Sequence, residues 1–138
     1  MDRAHRLGDE LVIAFLDVVN LKRVNDEQGH AAGDNVLRAL GEALRNGLRS
    51  YDLVVRYGGD EFVCALPRAS MAKAGQRFTD VNRLLGAAIP GAAVSIGLAE
   101  LTKDETLDMV VGRADRELYA GRRLTADQLA NQRPNHDH

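Results

Sequence analysis

The sequence predicts an α+β domain of the ferredoxin-like type, in which helices cover one face of a mostly antiparallel sheet. The first observation behind this fold class is the order of the predicted elements, which is strand, helix, helix, strand, strand, helix, strand, helix. The second is a pair of short apolar segments joined by two glycines, which predicts a hairpin. A length of 138 residues with 45% apolar composition is typical of one compact domain.

The run from Leu11 to Val19 predicts a buried central strand that ends at Asp17, because it is rich in β-branched and aromatic residues and lacks helical periodicity. The polar sequence NLKRVNDEQGH predicts a turn-rich connection that contains a short helix. From Ala31 an amphipathic helix is predicted that loosens at Gly47, because apolar residues recur at three- and four-residue steps. Its predicted core residues are Val36, Leu37, Leu40, Leu44 and Leu48.

The hairpin is formed by the segments YDLVVRY and EFVCALP, which are joined by Gly58 and Gly59. A glycine pair readily takes positive φ angles, so we predict a two-residue type I′ turn. Cys64 lies in the second segment, where it is expected to be a small core residue. One cysteine cannot form an intramolecular disulfide, which fits a reducing compartment.

A third helix is predicted from Ser70 to Leu85, and a strand over AAVSIGLAEL, whose small residues on one face predict close packing there. The last helix is predicted from Leu107 to about Arg122. We expect the domain to span residues 1–124 and a polar tail, disordered at its end, to span 125–138. The predicted inward residues of the third helix are Met71, Ala74, Phe78, Val81 and Leu85, and those of the last helix are Val110, Val111, Ala114, Leu118 and Tyr119.

The charge pattern excludes some classes of partner. The net charge is −2 and the 18 basic residues are spread along the chain, so no broad nucleic-acid-binding face is expected. No apolar stretch reaches the ~20 residues of a membrane helix. The first ten residues lack the apolar core of a signal peptide. We therefore expect a cytoplasmic domain without membrane contact.

Three carboxylates fall at strand ends. Asp17 ends the first strand, while Asp60 and Glu61 follow the predicted turn. If their strands are neighbours, these side chains converge, and converging carboxylates bind a divalent cation or include a protonated acid. A Mg²⁺–nucleotide site is one interpretation, and a solvated turn whose charges protect the hairpin is the other.

The segment RYGGDEF resembles the signature of the GGDEF family, the diguanylate cyclases that condense two GTP molecules into cyclic di-GMP and pyrophosphate. Three further motifs match in the right order: FLDVVNLKRVNDEQGHAAGDNVL, VSIGLA and ADRELY. The resemblance covers Leu11 to about Arg122 and implies the family's cyclase-type fold with its GGDEF hairpin. It favours the nucleotide site over a solvated turn.

The resemblance implies roles for the residues around the hairpin. Asp17, Asp60 and the backbone carbonyl of Val18 would hold Mg²⁺ or Mn²⁺, and Asp60 would help to deprotonate the attacking 3′-hydroxyl. Gly58 and Gly59 would keep the turn free of side chains, so that substrate can approach. Glu61 would assist at the metal ions directly or through another group, and Phe62 would pack in the core.

The resemblance also implies substrate contacts. Asn25 and Asp34 would bind guanine; the alternative is that they serve helix caps and first turns. Lys22 and the backbone amides of Val19, Asn20 and Leu21 would bind the β- and γ-phosphates, although a lone lysine is usually a solvated charge. Arg122 would replace a phosphate-binding lysine of the family, and His30 is expected to be structural.

The sequence RSYD resembles the family's Arg-x-x-Asp inhibitory site, with Arg49 and Asp52 as the pair that would bind cyclic di-GMP. The alternative is a surface ion pair at a helix–strand junction. This chain departs from the family pattern at three places. It begins downstream of the usual DxLTGLxNR-like segment, it has Val19 where a second acidic residue is common, and Ala126 replaces a phosphate-binding arginine, which predicts weaker GTP affinity.

The resemblance implies a homodimer, because each domain holds one GTP and the two 3′-hydroxyls attack across a two-fold axis. It also implies product feedback by cyclic di-GMP and an upstream sensory domain in the full-length protein. The alternative function is a weak or inactive module that binds GTP or cyclic di-GMP as a receptor. The intact GGDEF sequence favours catalysis, because a receptor needs neither Asp17 nor Asp60. An adenylyl-cyclase-like or polymerase-palm enzyme is disfavoured by the motif match.

Overall fold

The computed structural model describes residues 10–132, and its side chains through residue 120. The elements follow the predicted order. Predictions about the first nine residues and about 133–138 lie outside the described residues. The strands are β1 (Leu11–Val18), β2 (Leu53–Arg56), β3 (Glu61–Pro67) and β4 (Val94–Glu100); the helices are α1 (Leu21–Gln28), α2 (His30–Gly47), α3 (Met71–Ala88) and α4 (Leu107–Gln132).

The four strands form one antiparallel sheet in the order β2-β3-β1-β4, which confirms the α+β fold class. β1 is therefore a central strand, as its apolar sequence predicts. Its register with β3 places Asp17 opposite Glu61. The sheet thus brings the ends of β1 and β3 side by side, which is the condition for the predicted site.

Helices pack on both faces of the sheet, so the expectation that they cover one face was wrong. Val12, Ala14 and Leu16 of β1 belong to a core cluster that also includes residues of α2 and α3. Ile13 and Phe15 belong to a second cluster with α4. Both sets of alternating side chains in β1 are apolar, and each needs a helical layer to exclude water.

Helix α4 approaches β4 closely at Gly97. A Cβ atom at Gly97 would lie 2.1 Å from the Ala114 carbonyl oxygen and 2.3 Å from the Leu118 nitrogen. The small residues of this strand were predicted to allow such packing, and the structure confirms it. Backbone atoms of a helix cannot yield as a flexible side chain can.

We predict that Gly97→Ala lowers the free energy of unfolding by about 3 kcal/mol, because α4 must move away from β4. Urea denaturation of the purified domain measures this. Gly41→Ala in α2 is the matched control, since a Cβ atom there meets no other described residue within 4 Å apart from its own helix. An unchanged midpoint for Gly97→Ala would show that the helix can shift at no cost.

The hairpin turn differs from the predicted type I′ turn. β2 and β3 pair Arg56 with Phe62, and the backbone N–H groups of Tyr57 and Gly58 both donate to the Glu61 carbonyl, at 2.8 and 3.2 Å. Neither Gly58 nor Gly59 has a positive φ. Glycine permits positive φ without requiring it, so the pair predicted a turn but not its type.

Other differences concern single side chains and the length of α4. Tyr119 is 64% exposed and Met71 is 40% exposed, although both were predicted to face inward. α4 continues to Gln132, well past the predicted end near Arg122, because TADQLANQ contains no glycine or proline to stop it. The domain boundary at residue 124 stays a prediction.

In residues 10–132, no helix is both long enough and apolar enough to cross a membrane.

A carboxylate network fixes the loop between β4 and α4. Arg113 donates to both carboxylate oxygens of Glu105, each at 2.7 Å, and also to the Glu100 carbonyl. Glu105 further accepts from the backbone N–H and the hydroxyl of Thr102. The hydrogen bond from Arg113, followed by those from Thr102, lowers the pKa of Glu105 to about 2.

This lowered pKa predicts a pH dependence of stability. A carboxyl whose pKa is about 2 when folded and about 4.3 when unfolded stabilises the fold above pH ~4.3, and loses that contribution as the pH falls towards 2. Glu105→Gln should therefore lower the unfolding midpoint most at pH 5–7 and least near pH 2. Denaturation at several pH values tests this, with Glu42→Gln on the exposed surface of α2 as control. If the difference in unfolding midpoint between Glu105→Gln and the wild type did not change with pH, the prediction would be contradicted.

Candidate active site

A cleft of about 440 Å³ opens where β1 and β3 meet α1. Asp17 and Asp60 both line it, although they are far apart in the sequence. The backbone N–H of Val18 donates to the carbonyl of Asp60 at 2.9 Å, which joins the two strand ends directly. The other lining residues are Val18, Asn20, Leu21, Lys22, Arg23, Asp26 and Glu27.

Two of the three predicted carboxylates meet in this cleft. Glu61 lies opposite Asp17 in the register but does not line the cleft. Its carboxylate is near Gly58, since a Cβ atom at Gly58 would lie 3.2 Å from Glu61 Oε1. Glu61 is therefore placed beside the turn, and a role for it at a metal ion stays a prediction.

The donor set of the cleft suits Mg²⁺. Among residues 10–132, no three His, Cys, Asp or Glu side chains form a complete metal site. Mg²⁺ usually takes only one or two carboxylates and completes its shell with water and substrate phosphates. Asp17, Asp60 and the Val18 carbonyl fit that requirement, and the nearby Lys22 adds a positive charge for phosphate.

The connection from β1 to α1 is built around a left-handed residue. Asn20 precedes α1 with φ 59° and ψ 24°, a conformation that asparagine tolerates better than most residues. Leu21 and Lys22 open the helix, where backbone N–H groups lack partners within the helix. Val19 is different, because its N–H donates to the Ala93 carbonyl at 2.9 Å. The expectation that the Val19 amide binds phosphate was therefore wrong.

Asn25 and Asp34 lie at the contact between α1 and α2. The Asn25 amide covers Gly33, where a Cβ atom would lie 1.7 Å from Asn25 Oδ1. The side chain of Asn25 is thus placed next to the residue that precedes Asp34. Asp34 lies beyond the first turn of α2, which contains no acidic residue, and Gly29 at the N-cap makes no side-chain hydrogen bond. This geometry does not support the helix-capping alternative.

Arg49 and Asp52 form a partly buried ion pair. The Asp52 carboxylate is fully buried and accepts from the Arg49 backbone N–H, Nε and Nη2, at 2.7–3.2 Å. Nη2 also donates to the Pro67 carbonyl at the end of β3, and Nη1 donates to the Tyr51 hydroxyl. The hydrogen bonds that the Arg49 guanidinium donates to Asp52 raise the pKa of Arg49. Both carboxylate oxygens are thus occupied within the chain, and use of this pair as a ligand site stays a prediction.

Further residues were placed outside the site or were missed. His30 begins α2 on the surface, Phe62 is half-buried against the core, and burial raises the pKa of Cys64 to about 12. The side chain of Arg122 lies outside the described residues.

Sequence reasoning missed Arg23, Asp26 and Glu27, which also line the cleft. Asp26 stands inside the quoted segment FLDVVNLKRVNDEQGHAAGDNVL, which was the available signal.

A second cavity of about 490 Å³ shares Asn20, Arg23 and Glu27 with the cleft. It is lined mainly by apolar residues such as Val24, Val36 and Ile89. Neither Asp17 nor Asp60 lines it, so the smaller cleft is the candidate active site.

Comparison with known proteins identifies relatives of this domain. The family described as diguanylate cyclase, GGDEF domain, matches residues 1–128. The diguanylate cyclase DgcP of Pseudomonas aeruginosa is 39% identical over 135 residues, which cover 92% of this chain and 20% of the relative. DgcZ of Escherichia coli is 36% identical over 119 residues, covering 81% of this chain and 40% of that protein. The chain thus spans less than half the length of these curated relatives.

Solved structures of related proteins have the same fold as this chain. The GGDEF domain of DgcB from Caulobacter crescentus, in complex with c-di-GMP, superposes with a TM-score of 0.80 at 27% identity, covering 88% of this chain and 77% of that chain. The diguanylate cyclase SiaD of Pseudomonas aeruginosa, in complex with its activator SiaC, gives a TM-score of 0.80 at 36% identity, with 88% and 50% covered. Because the family matches most of the sequence and the fold agrees with that of its solved members, this chain belongs to the GGDEF domain family of diguanylate cyclases.

Proposed function

We propose that this domain condenses two GTP molecules into cyclic di-GMP and two pyrophosphates. One observation carries the proposal: Asp17 and Asp60 line one cleft beside Lys22, with their strand ends joined through the Val18 N–H and the Asp60 carbonyl. Relatives that are named diguanylate cyclases support it. A cytoplasmic location is part of the same proposal, since GTP is an intracellular nucleotide.

In this mechanism, Asp17, Asp60 and the Val18 carbonyl would hold Mg²⁺ or Mn²⁺. The ions would supply positive charge to offset the charge of the α-phosphate as pyrophosphate leaves. Lys22 and the backbone N–H groups of Asn20 and Leu21 bind the β- and γ-phosphates. Asp60 accepts the proton of the attacking 3′-hydroxyl. Gly59 leaves the approach open, because within the described part of the chain no atom beyond its two chain neighbours lies within 4 Å of where a Cβ would be.

Guanine is recognised by Asn25 and Asp34 in this proposal. The Asp34 carboxylate accepts from the ring N–H and the exocyclic amine, a donor pattern that adenine does not present. A site that must pair its acceptors discriminates strongly against a base without matching donors. The position of the Asn25 amide against Gly33 supports the pairing, since Gly33 is the residue directly before Asp34.

Two domains must meet for the reaction, because each supplies one GTP and each 3′-hydroxyl attacks the nucleotide of the partner. The homodimer is therefore part of the proposed mechanism. An upstream sensory domain would control its formation.

A receptor for cyclic di-GMP, or feedback inhibition by it, is the second candidate function and depends on Arg49 and Asp52. A solved relative binds c-di-GMP. In this chain, however, the Asp52 side chain is fully buried against Arg49. Binding through this pair requires the ion pair to open, so we favour catalysis as the main function.

The test is incubation of the domain at high concentration with GTP and Mg²⁺ or Mn²⁺, followed by measurement of cyclic di-GMP and pyrophosphate. ATP in place of GTP is the control for base recognition. Formation of cyclic di-GMP from GTP alone supports the proposal. Saturable binding of cyclic di-GMP without any product would favour the receptor. Product must then also be absent when the domain is fused to a dimerising coiled coil.

A further inference from the structure

Arg56, the last residue of β2, is in contact with the turn that carries Asp60. Its Nε donates to the Gly58 carbonyl at 3.1 Å, and its Nη2 donates to the Gly59 carbonyl at 2.7 Å. The guanidinium carbon lies 5.9 Å from the centre of the Phe62 ring. The side chain therefore runs along the hairpin and binds two consecutive carbonyls at its tip.

The turn needs such support because its own bonds are few. The backbone N–H groups of Tyr57 and Gly58 share one acceptor, the Glu61 carbonyl. Glycine has the greatest backbone freedom of any residue, and two adjacent glycines multiply it. Among the residues that the structure describes, no atom outside the two chain neighbours of Gly59 lies within 4 Å of where a Cβ would be, so side-chain packing does not restrain Gly59 either. Ordering of this segment must come mainly from hydrogen bonds.

The contact with Gly59 acts directly on Asp60. The carbonyl of Gly59 and the N–H of Asp60 belong to one rigid peptide unit. Arg56 fixes that unit on one side of Asp60, and Val18 fixes the other side by donating to the Asp60 carbonyl. The Cα of Asp60 is thus held between two anchored peptide units, which limits where its carboxylate can lie.

We infer that Arg56 is a positioning residue that holds Asp60 in place for the cyclase reaction. This inference rests on the proposed function. Arginine suits the role because its planar fork presents several N–H donors in fixed geometry, whereas lysine offers a single flexible ammonium. Lysine can therefore replace one of the two bonds but not both.

The experiment compares Arg56→Ala and Arg56→Lys with the wild-type domain. Because a small misplacement of a reacting group is costly, we expect Arg56→Ala to lower kcat by about a hundredfold, with a change in KM for GTP below about threefold. The kcat of Arg56→Lys should lie between that of the wild type and that of Arg56→Ala. Arg45→Gln is the matched control, since Arg45 is an exposed residue of α2 paired only loosely with Glu42, at 3.6 Å.

A second readout does not depend on activity. Amide hydrogen exchange at residues 58–60 should be faster in Arg56→Ala than in the wild type, while exchange in β1 stays the same. A raised KM with unchanged kcat would overturn the inference and indicate direct contact with phosphate. Unchanged exchange at 58–60 would also overturn it. If the wild-type domain makes no cyclic di-GMP, the proposed function fails, and hydrogen exchange still decides whether Arg56 positions Asp60.

Discussion

Asp60→Asn is expected to reduce formation of cyclic di-GMP by about a thousandfold, because the amide cannot supply the negative charge that the proposed metal site needs. The fold should be unaffected. Asparagine keeps the shape of aspartate, and the contact with Val18 uses the backbone carbonyl of residue 60 and not its side chain. Product formation at saturating GTP and Mg²⁺ measures the effect, and a thermal melt checks the fold.

Asp115→Asn is the control for Asp60→Asn, because Asp115 is an exposed residue of α4 outside the cleft. This variant should retain wild-type activity. If Asp60→Asn were equally active, the carboxylate would not take part in the reaction, and the proposed site would have to be sought elsewhere in the domain.

Asp52→Ala is expected to lower the free energy of unfolding by about 3 kcal/mol. The variant removes the carboxylate of the ion pair and leaves Arg49, whose side chain is only 17% exposed, without a compensating charge. It also weakens the connection between the turn after α2 and the end of β3, because Arg49 is the residue that donates to the Pro67 carbonyl. The midpoint of urea denaturation reports this loss.

Asp80→Ala provides a comparison in which an ion pair is removed at the surface. Asp80 and Arg83 are 3.7 Å apart and their side chains are 56% and 68% exposed. Such pairs contribute less than about 1 kcal/mol. If both variants had the same small effect, the buried pair would not stabilise the fold, and a role limited to ligand binding would become the better explanation for Arg49 and Asp52.

The order of the elements could be predicted from the sequence because each has a clear period or a clear boundary. Ser70, for example, caps α3 by accepting from the Lys73 N–H at 3.2 Å, which fits its position before an apolar repeat. The placement of α4 on the second face could not be read from its own sequence. The apolar residues on both faces of β1 do contain that information, because each face needs a helical layer to exclude water.

The site was predicted in part. The strand ends that carry Asp17 and Asp60 meet because the sheet pairs β1 with β3. The quoted motifs indicated that these two residues belong to one site. What the sequence could not give were individual hydrogen bonds, either between distant segments or within the hairpin turn. The bond from Val19 to Ala93 removes one predicted phosphate ligand, and the bonds from Arg56 to the turn add a residue that had no predicted role.

The central position of β1 affects how the two walls of the cleft move. β1 is paired along both edges and buried on both faces, whereas β2 is an edge strand whose four residues are all exposed. Amide protons of β1 should therefore exchange only when the domain opens globally, and those of the hairpin through smaller, more frequent openings. Asp17 is then the fixed side of the cleft. Any adjustment to the proposed nucleotide falls to the hairpin that carries Asp60, within the limits set by the bonds of Arg56 and Val18.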